Sequence, residues 1–280
     1  MTEKPRIAIQ GFEGSFHQQA AQEFFGEDLA IISCNNFPDL VRACENSELS
    51  DAGIMAIENS IAGSILPNYT LLEKSDLIIV GEIYLPIKHQ LMMHPDAMID
   101  NIREVHSHYM ALLQCRDYLE KHPQWKLIEA ADTALSARNI REQENHHIAA
   151  IASHKAAEIY NLKIIAEDIH TMKKNYTRFL VLRRKGEAGT IPDINKASVQ
   201  FTVNNTKGSL AKILTIIAEQ GINLSKLQSM PIAGTNFQYA FHVDMEFDSR
   251  DQLENTLQAI NHLTDIIKLL GVYQSGYKVL

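Results

Sequence analysis

From Arg6 to about Arg184, short apolar runs alternate with stretches whose apolar residues recur at helical spacing. The runs predict strands at Arg6–Gln10, Gly53–Ile57, Leu77–Glu82, Lys88–Met93, Glu104–His106, Lys126–Glu129, Ile148–Ile151, Lys163–Ala166 and Arg178–Leu182. Helices are predicted through Gln18, Ala21 and Phe25, over Tyr109–His122, over Thr133–Glu142 and over Ser153–Tyr160. This alternation predicts an α/β architecture, a mostly parallel sheet with covering helices. So many strands favour two lobes, and a cleft between lobes is a common place to enclose a small ligand.

The stretch Lys185–Lys196 contains Gly186, Gly189 and Pro192 and reads as a linker. Beyond it the pattern becomes β-α-β-β-α-β, the ferredoxin-like order. Strands are predicted at Ser198–Val203, Ile222–Ser229 and Ile266–Tyr273, and helices at Ser209–Gln220 and Gln252–Leu263. Between them Phe237, Tyr239, Phe241, Val243, Met245 and Phe247 alternate with Gln238, Ala240, His242, Asp244 and Glu246. A period of two predicts one buried and one polar face. The expected domains are therefore 1–184, a linker 185–196, and 197–280.

At 280 residues the chain has room for two cores, and with 45% hydrophobic and 21% charged residues it has a globular composition. A net charge of −8 argues against nucleic-acid or anionic-membrane partners. No apolar run approaches the ~18 residues of a membrane helix. Met1-Thr2-Glu3-Lys4-Pro5 leads straight into a strand without a signal-peptide core. Cys34, Cys44 and Cys115 are scattered, as free thiols in a reducing compartment would be. The expected location is cytoplasmic.

Candidate chemistry lies in short polar segments. Gly11-Phe12-Glu13-Gly14-Ser15 joins a strand to a helix that Ser15 and Gln18 can cap as a pair. Such a turn offers backbone N–H groups to an anion. It lacks the lysine of a P-loop and the third glycine of a dinucleotide fingerprint, and a tight turn explains its glycines equally well. Glu58-Asn59-Ser60 follows an apolar strand, where open α/β sheets place their ligands; an Asx-capped turn is the other reading. Ser107 and Gln114 are two helical turns apart, Asp132-Thr133 opens a helix, and both pairs also fit simple capping. In Asn175-Tyr176-Thr177-Arg178-Phe179, Arg178 is suited to grip a carboxylate and Thr177 to donate a hydrogen bond. The twelve histidines show no zinc-like spacing with Cys or carboxylates, so no metal is expected.

Taken in order, these segments resemble the prephenate dehydratase family over nearly the whole chain. A GPxGTFS-like loop appears as Gly11-Phe12-Glu13-Gly14-Ser15-Phe16-His17, and a PxENSxxG segment as Ala56-Ile57-Glu58-Asn59-Ser60-Ile61-Ala62-Gly63. A serine-then-QC element runs from Ser107 to Gln114-Cys115, a TA helix start is Asp132-Thr133-Ala134, and NxTRF stands at Asn175, Thr177, Arg178 and Phe179. Phe12, His17 and Ala56 depart from a family Pro, Ser and Pro. The C-terminal unit resembles an ACT domain, with Gly208-Ser209-Leu210-Ala211 as its GALV-like loop. Its ESRP-like segment is Gln228-Ser229-Met230-Pro231, where Gln228 and Met230 depart from glutamate and arginine.

The resemblance implies a two-lobed catalytic domain like the type II periplasmic-binding proteins, followed by the ferredoxin-like ACT domain. It implies conversion of prephenate to phenylpyruvate without a cofactor. Thr177 would address the departing hydroxyl, with Glu58 or water as a proton relay. Arg178 would hold a carboxylate, and Asn59, Ser60, Ser107, Gln114 and Thr133 would orient the substrate. Gly14, Ser15 and Phe179 would line the pocket. L-phenylalanine would bind where Gly208, Ser209, Leu210 and Ala211 face Asn223, Leu224 and Ser225 of a partner chain, in a homodimer or homotetramer. No chorismate-mutase-like helix precedes residue 6, so a monofunctional enzyme is expected. Alternatives are an arogenate dehydratase, a non-catalytic two-lobed amino-acid sensor, and a periplasmic solute-binding protein, which the missing signal sequence disfavours.

Overall fold

Apolar residues at every position of Ile7-Ala8-Ile9 suit a strand buried on both faces, and this strand organises the N-terminal part of the chain. In the computed structural model, residues 4–204, 206–232, 234–236 and 238–276 are described. The first elements are β1 (Arg6–Gln10), α1 (Phe16–Phe25), β2 (Ala30–Cys34), α2 (Phe37–Glu45), β3 (Ala52–Asn59), β4 (Gly63–Ser64), α3 (Leu66–Lys74), β5 (Leu77–Pro86) and β6 (Gln90–Met93). There follow β7 (Glu104–Ser107), α4 (Tyr109–Gln114), α5 (Arg116–Leu119), β8 (Lys126–Glu129), α6 (Thr133–Glu142), β9 (Ile148–Ala152), α7 (His154–Ile159), β10 (Lys163–Ala166) and β11 (Tyr176–Arg184). The C-terminal elements are β12 (Lys196–Thr202), α8 (Ser209–Glu219), β13 (Asn223–Pro231), β14 (Tyr239–Glu246), α9 (Arg250–Asn261) and β15 (Ile266–Tyr273). Among the described residues no helix is long and apolar enough to cross a membrane.

The chain divides into two units, one holding the residues up to Ile65 with Ile83–Phe179, the other Leu66–Glu82 with the chain from Leu180. The first unit contains two sheets. In one, β1 pairs in parallel with β2 and β3 (Ile7 opposite Ile31 and Ala52), β4 folds back on β3, and the start of β11 lies beside β3. In the other, the order is β10-β6-β9-β7-β8. There β7 runs parallel to β8 and β9, while β6 is antiparallel to both its neighbours. The second sheet is thus mixed rather than mostly parallel. Its apolar residues pack into two clusters, one around Val105, Cys115 and Trp125, the other around Ala137, Ile140 and Ala150.

β2, α2, α3 and β4 have no counterpart among the expected elements. The signal for α2 was present: Asn36 caps it by accepting from Asp39 N at 2.8 Å, Pro38 sits in its first turn, and Leu40, Val41, Ala43 and Cys44 form its buried face. The single helix expected over Tyr109–His122 is broken at Cys115, which leaves helical geometry at φ −101°, ψ 14°. Thr171 sits at the break, its N–H donating to the Gln114 carbonyl at 2.8 Å and its hydroxyl accepting from Asp117 N at 3.3 Å. A distant segment supplies what the helix ladder loses, which no local periodicity reveals.

In the second unit β13-β14-β12-β15 form the expected ferredoxin-like sheet, with β12 antiparallel to both β14 and β15. Ile213 and Ile217 of α8 and Leu253 and Ile260 of α9 cover its apolar face. Phe237, expected in β14, lies outside the described residues. The other face, expected to be polar, is polar but not solvated. His242 and Asp244 are buried, and the His242 ring meets Tyr69 of α3 edge-on with centroids 4.8 Å apart. Asp244 accepts from the Ser198 hydroxyl at 2.6 Å, and Tyr273 OH lies 2.7 Å from the same hydroxyl. Lys196, expected at the end of the linker, instead opens β12 and is fully buried against Glu82 of β5, 2.9 and 3.2 Å from its oxygens.

Candidate active site

A cavity of about 390 Å³ opens in the first unit, lined from both of its sheets. Its walls are built where strands end and helices begin. The turn after β1 places Ser15, whose hydroxyl caps α1 by accepting from Gln18 N at 3.3 Å, while the Gln18 side chain accepts from Gly14 N at 2.6 Å. The expected paired cap therefore closes one residue earlier than the ideal capping box. Gly14 has φ +85°, and a Cβ there would meet the Ala156 Cα at 2.8 Å, so only glycine permits this approach to α7. Gly11 has φ +95°, and a Cβ there would lie 2.8 Å from Asp132 Oδ2. Its bare backbone makes room for the carboxyl group that caps α6.

The polar heart of the cavity is one hydrogen-bonded network. Asn59, at the end of β3, accepts with Oδ1 from Ile61 N at 3.0 Å and Ala62 N at 2.9 Å. Backbone N–H groups only donate, so this contact fixes which end of the amide is oxygen. Its two Nδ2 hydrogens are shared among three acceptors: Asn175 Oδ1 at 2.8 Å, Thr177 Oγ1 at 3.0 Å and the Tyr176 carbonyl at 3.2 Å. Asn175 Nδ2 donates to Gln114 Oε1 at 2.9 Å, and His89 Nε2 lies 2.9 Å from that same oxygen. Segments near residues 59, 89, 114 and 175 are thereby joined.

Two donors remain open. The Thr177 oxygen accepts from Asn59, so its own proton is free to point elsewhere. Gln114 uses only its oxygen, and its amide nitrogen has no protein partner among the described residues. Apolar and aromatic side chains complete the wall: Phe16, Phe37 and Phe179 with the rings of His17 and His89. His17 meets Phe179 edge-on at 4.9 Å and Phe37 at 5.8 Å.

Burial sets the protonation of these groups. Desolvation pushes His17 down to about 3 and His89 down to about 4, so both rings are neutral near pH 7. Desolvation raises the Asp132 carboxyl, opposed by the N–H groups it caps, Leu135 N among them at 2.8 Å. Among the described residues Asp132 is the acidic side chain on the wall, and no lysine or arginine lines it.

Of the expected site residues, Ser15, Asn59, Gln114, Thr133, Thr177 and Phe179 line the cavity. Glu58, Ser60, Ser107 and Arg178 do not. Strand alternation sends Arg178 to the face of β11 opposite Thr177, where it is buried with its guanidinium 5.9 Å from the Tyr84 ring centre. Ser107 is fully buried and spends its hydroxyl on the Ile151 carbonyl at 2.6 Å. Ser60 accepts from Tyr176 N at 2.9 Å, tying the β3 turn to the start of β11. Glu58 sits in the β3–β4 pairing opposite Ser64. Gly14 does not line the cavity either: its N–H donates to Gln18 Oε1 and its carbonyl accepts from the Ser153 hydroxyl at 2.5 Å. His17, His89, His108 and Gln10 line the cavity without having been singled out for it. His89 sits in an apolar run where its type carries no local signal, but His17 stands inside the first-loop motif. His17 Nε2 accepts from Ala56 N at 3.4 Å, so two positions that depart from the family pattern meet in space. In the second unit Ser209–Ala211 open α8, with Gly208 just before it at φ +83°, and Asn223–Ser225 open β13. Asn223 donates to Glu246 at 2.8 Å.

A family model described as prephenate dehydratase matches residues 7–187, and one described as ACT domain matches residues 195–269. The chain is 35% identical to a prephenate dehydratase of Methanocaldococcus jannaschii, covering 93% of this chain and 95% of that one. A crystal structure of prephenate dehydratase from Arthrobacter aurescens in complex with L-Phe superposes with a TM-score of 0.85 at 26% identity, over 96% of this chain and 89% of that one. A structure titled GqqA, a quorum-quenching acylase, superposes with a TM-score of 0.86 at 27% identity, over 96% of this chain and 98% of that one.

Proposed function

The chain belongs to the prephenate dehydratase family, and from that premise we propose that the cavity converts prephenate to phenylpyruvate, carbon dioxide and water. The observation that carries this reading is the Thr177 hydroxyl, held by Asn59 at 3.0 Å with its proton unspent. In the reaction the bond from the ring to its carboxylate breaks and its electron pair enters the ring. The C–O bond on the far side breaks with its pair, and a proton turns the departing hydroxide into water. The gain of an aromatic ring drives the exchange. A fixed donor is worth most when charge develops on the leaving oxygen, and Thr177 is that donor. A threonine hydroxyl is a weak acid, so the proton itself is assigned to Asp132. Burial raises the Asp132 carboxyl, and the two carboxylates of the substrate oppose its ionisation further, which makes it the acid on the wall suited to supply that proton.

With no cation on the described wall, the substrate carboxylates meet neutral donors: the Gln114 amide, the Thr133 hydroxyl and the N–H groups opening α1 beside Ser15. The aromatic side of the cavity takes the ring. Ser60 and Ser107 hold the backbone that carries Thr177 and Gln114, and Arg178 acts from behind β11. The catalytic part is assigned to residues 1–184, the connection to 185–196, and an ACT domain that senses L-phenylalanine to 197–280. The effector is placed between Gly208–Ala211 of one chain and Asn223–Ser225 of another, in a cytoplasmic homodimer or homotetramer. Binding inhibits only if the effector prefers the less active arrangement.

Incubating the purified chain with prephenate at neutral pH should release phenylpyruvate well above the spontaneous rate. Thr177→Val should lower kcat by about 10² to 10³ while the fold persists. No release above background, or a Val variant with normal turnover, overturns the assignment. Release from arogenate in preference to prephenate would move the substrate, not the reaction class.

A further inference from the structure

The network around Thr177 can be read proton by proton, because it is anchored at donors that cannot reverse. Ile61 N and Ala62 N fix Asn59 Oδ1, which turns Asn59 Nδ2 toward Asn175. The atom of Asn175 that receives it must be oxygen, so Asn175 presents Nδ2 to Gln114. Gln114 must then present oxygen, and the His89 nitrogen 2.9 Å from that oxygen has to carry a proton. His89 is 3% exposed and neutral, so its proton resides on Nε2 and Nδ1 keeps a bare lone pair. His89 Nδ1 is buried with no hydrogen-bond partner among the described residues, as an unprotonated nitrogen tolerates better than a charged one.

We infer that His89 is a positioning residue: its Nε2–H, fixed from the backbone of Ile61 and Ala62 through Asn59, Asn175 and Gln114, locks the Gln114 amide with its NH2 group turned into the cavity. This deepens the dehydratase reading and rests on it for the identity of what that NH2 group meets. Without His89, the Gln114 oxygen keeps only the Asn175 contact, and the amide can rotate about its last bond. A rotated Gln114 would present an acceptor to a carboxylate, the wrong polarity for the substrate. His89 thus acts on the substrate through Gln114 and touches none of the reacting atoms itself. The edge-on contact of its ring with Phe16, centroids 5.6 Å apart, holds the imidazole plane in the required orientation.

The test uses the full-length chain labelled with 15N-histidine and long-range 1H–15N correlation, which distinguishes the two neutral tautomers. His89 should appear as the Nε2–H form. Asn175→Asp removes the donor facing Gln114; the Gln114 amide should then turn its nitrogen toward the new carboxylate and toward His89, and His89 should switch to the Nδ1–H form. In turnover, His89→Gln places an amide N–H near the position of Nε2 and should retain most of kcat. His89→Asn places it near Nδ1 and should lose about three- to tenfold in kcat with KM nearly unchanged, the fold-change of one positioned hydrogen bond. An Nδ1–H tautomer in the unsubstituted chain, a tautomer indifferent to Asn175→Asp, or equal kcat for the Gln and Asn variants overturns the inference. The tautomer is read without substrate, so a chain that made no phenylpyruvate would sink the dehydratase reading and leave this result standing.

Discussion

Each unit buries a cluster of polar side chains, and the two clusters are finished differently. In the second, Lys196 and Glu82 are 1% and 0% exposed, and Glu82 Oε1 also accepts from Gly276 N at 3.1 Å. Ser198, Asp244 and Tyr273 close on one another in the same way. In the first unit the network of Asn59, Asn175, Gln114 and His89 contains no ion pair among the described residues and ends in donors without a protein acceptor among them. A charged pair that satisfies itself fixes which strands meet. A neutral network with open ends leaves its last donors to whatever enters the cavity, water or a ligand with acceptors. The second arrangement builds a fold, and the first leaves donors facing a cavity.

The sharpest way to break this contrast is to leave a charge stranded. Lys196→Met should destabilise the protein by about 3–5 kcal/mol, because Glu82 would stay buried without its partner. Combining it with Glu82→Leu should recover most of that loss in urea denaturation. A mild effect of the single substitution would mean that the pair is solvated on demand and does not specify the sheet.

In the first unit the corresponding change should cost chemistry rather than stability. Asn caps a helix about as well as Asp, so Asp132→Asn should leave the denaturation midpoint in place and lower kcat by about 10². Equal losses of stability and turnover would reduce Asp132 to a cap.

Acid should act on both units alike. His17 at about 3, His89 at about 4 and His242 at about 4 lie below the ordinary 6.5 because burial disfavours the charged ring. The unfolded chain therefore binds protons that the folded chain refuses. The stability these histidines contribute is complete above pH 6.5 and is lost as pH falls toward 4. At pH 5 each costs about 2 kcal/mol relative to pH 7, and His242→Phe should flatten that slope by one such share without changing turnover. A slope unchanged by the substitution would show that His242 opens to water before it titrates.

Much of the fold is legible in local patterns because the patterns record burial directly. The alternation through Tyr239, Phe241, Val243 and Met245 marks β14, and the caps at Ser15 and Asp132 mark the starts of α1 and α6. The break at Cys115 was not legible, since the group that repairs it, Thr171, is far along the chain. The burial of His242 escaped for the same reason, because Tyr69 of α3 packs against its ring.

The candidate site divides along the same line. Asn59, Gln114, Thr133 and Thr177 stand in recognisable segments, and the order of those segments along the chain was enough to name the chemistry. Order alone could not say which side chains face inward. On β11 the pleat turns Thr177 and Phe179 to the cavity and Arg178 away from it, and Ser107 is consumed by a carbonyl of β9. By itself the sequence determined most of the elements, which family they make and which polar groups are at hand, because those follow from residue type and spacing. Only the tertiary structure decided which hydrogens and lone pairs are already spent, because hydrogen-bond partners come from segments that a linear pattern cannot bring together.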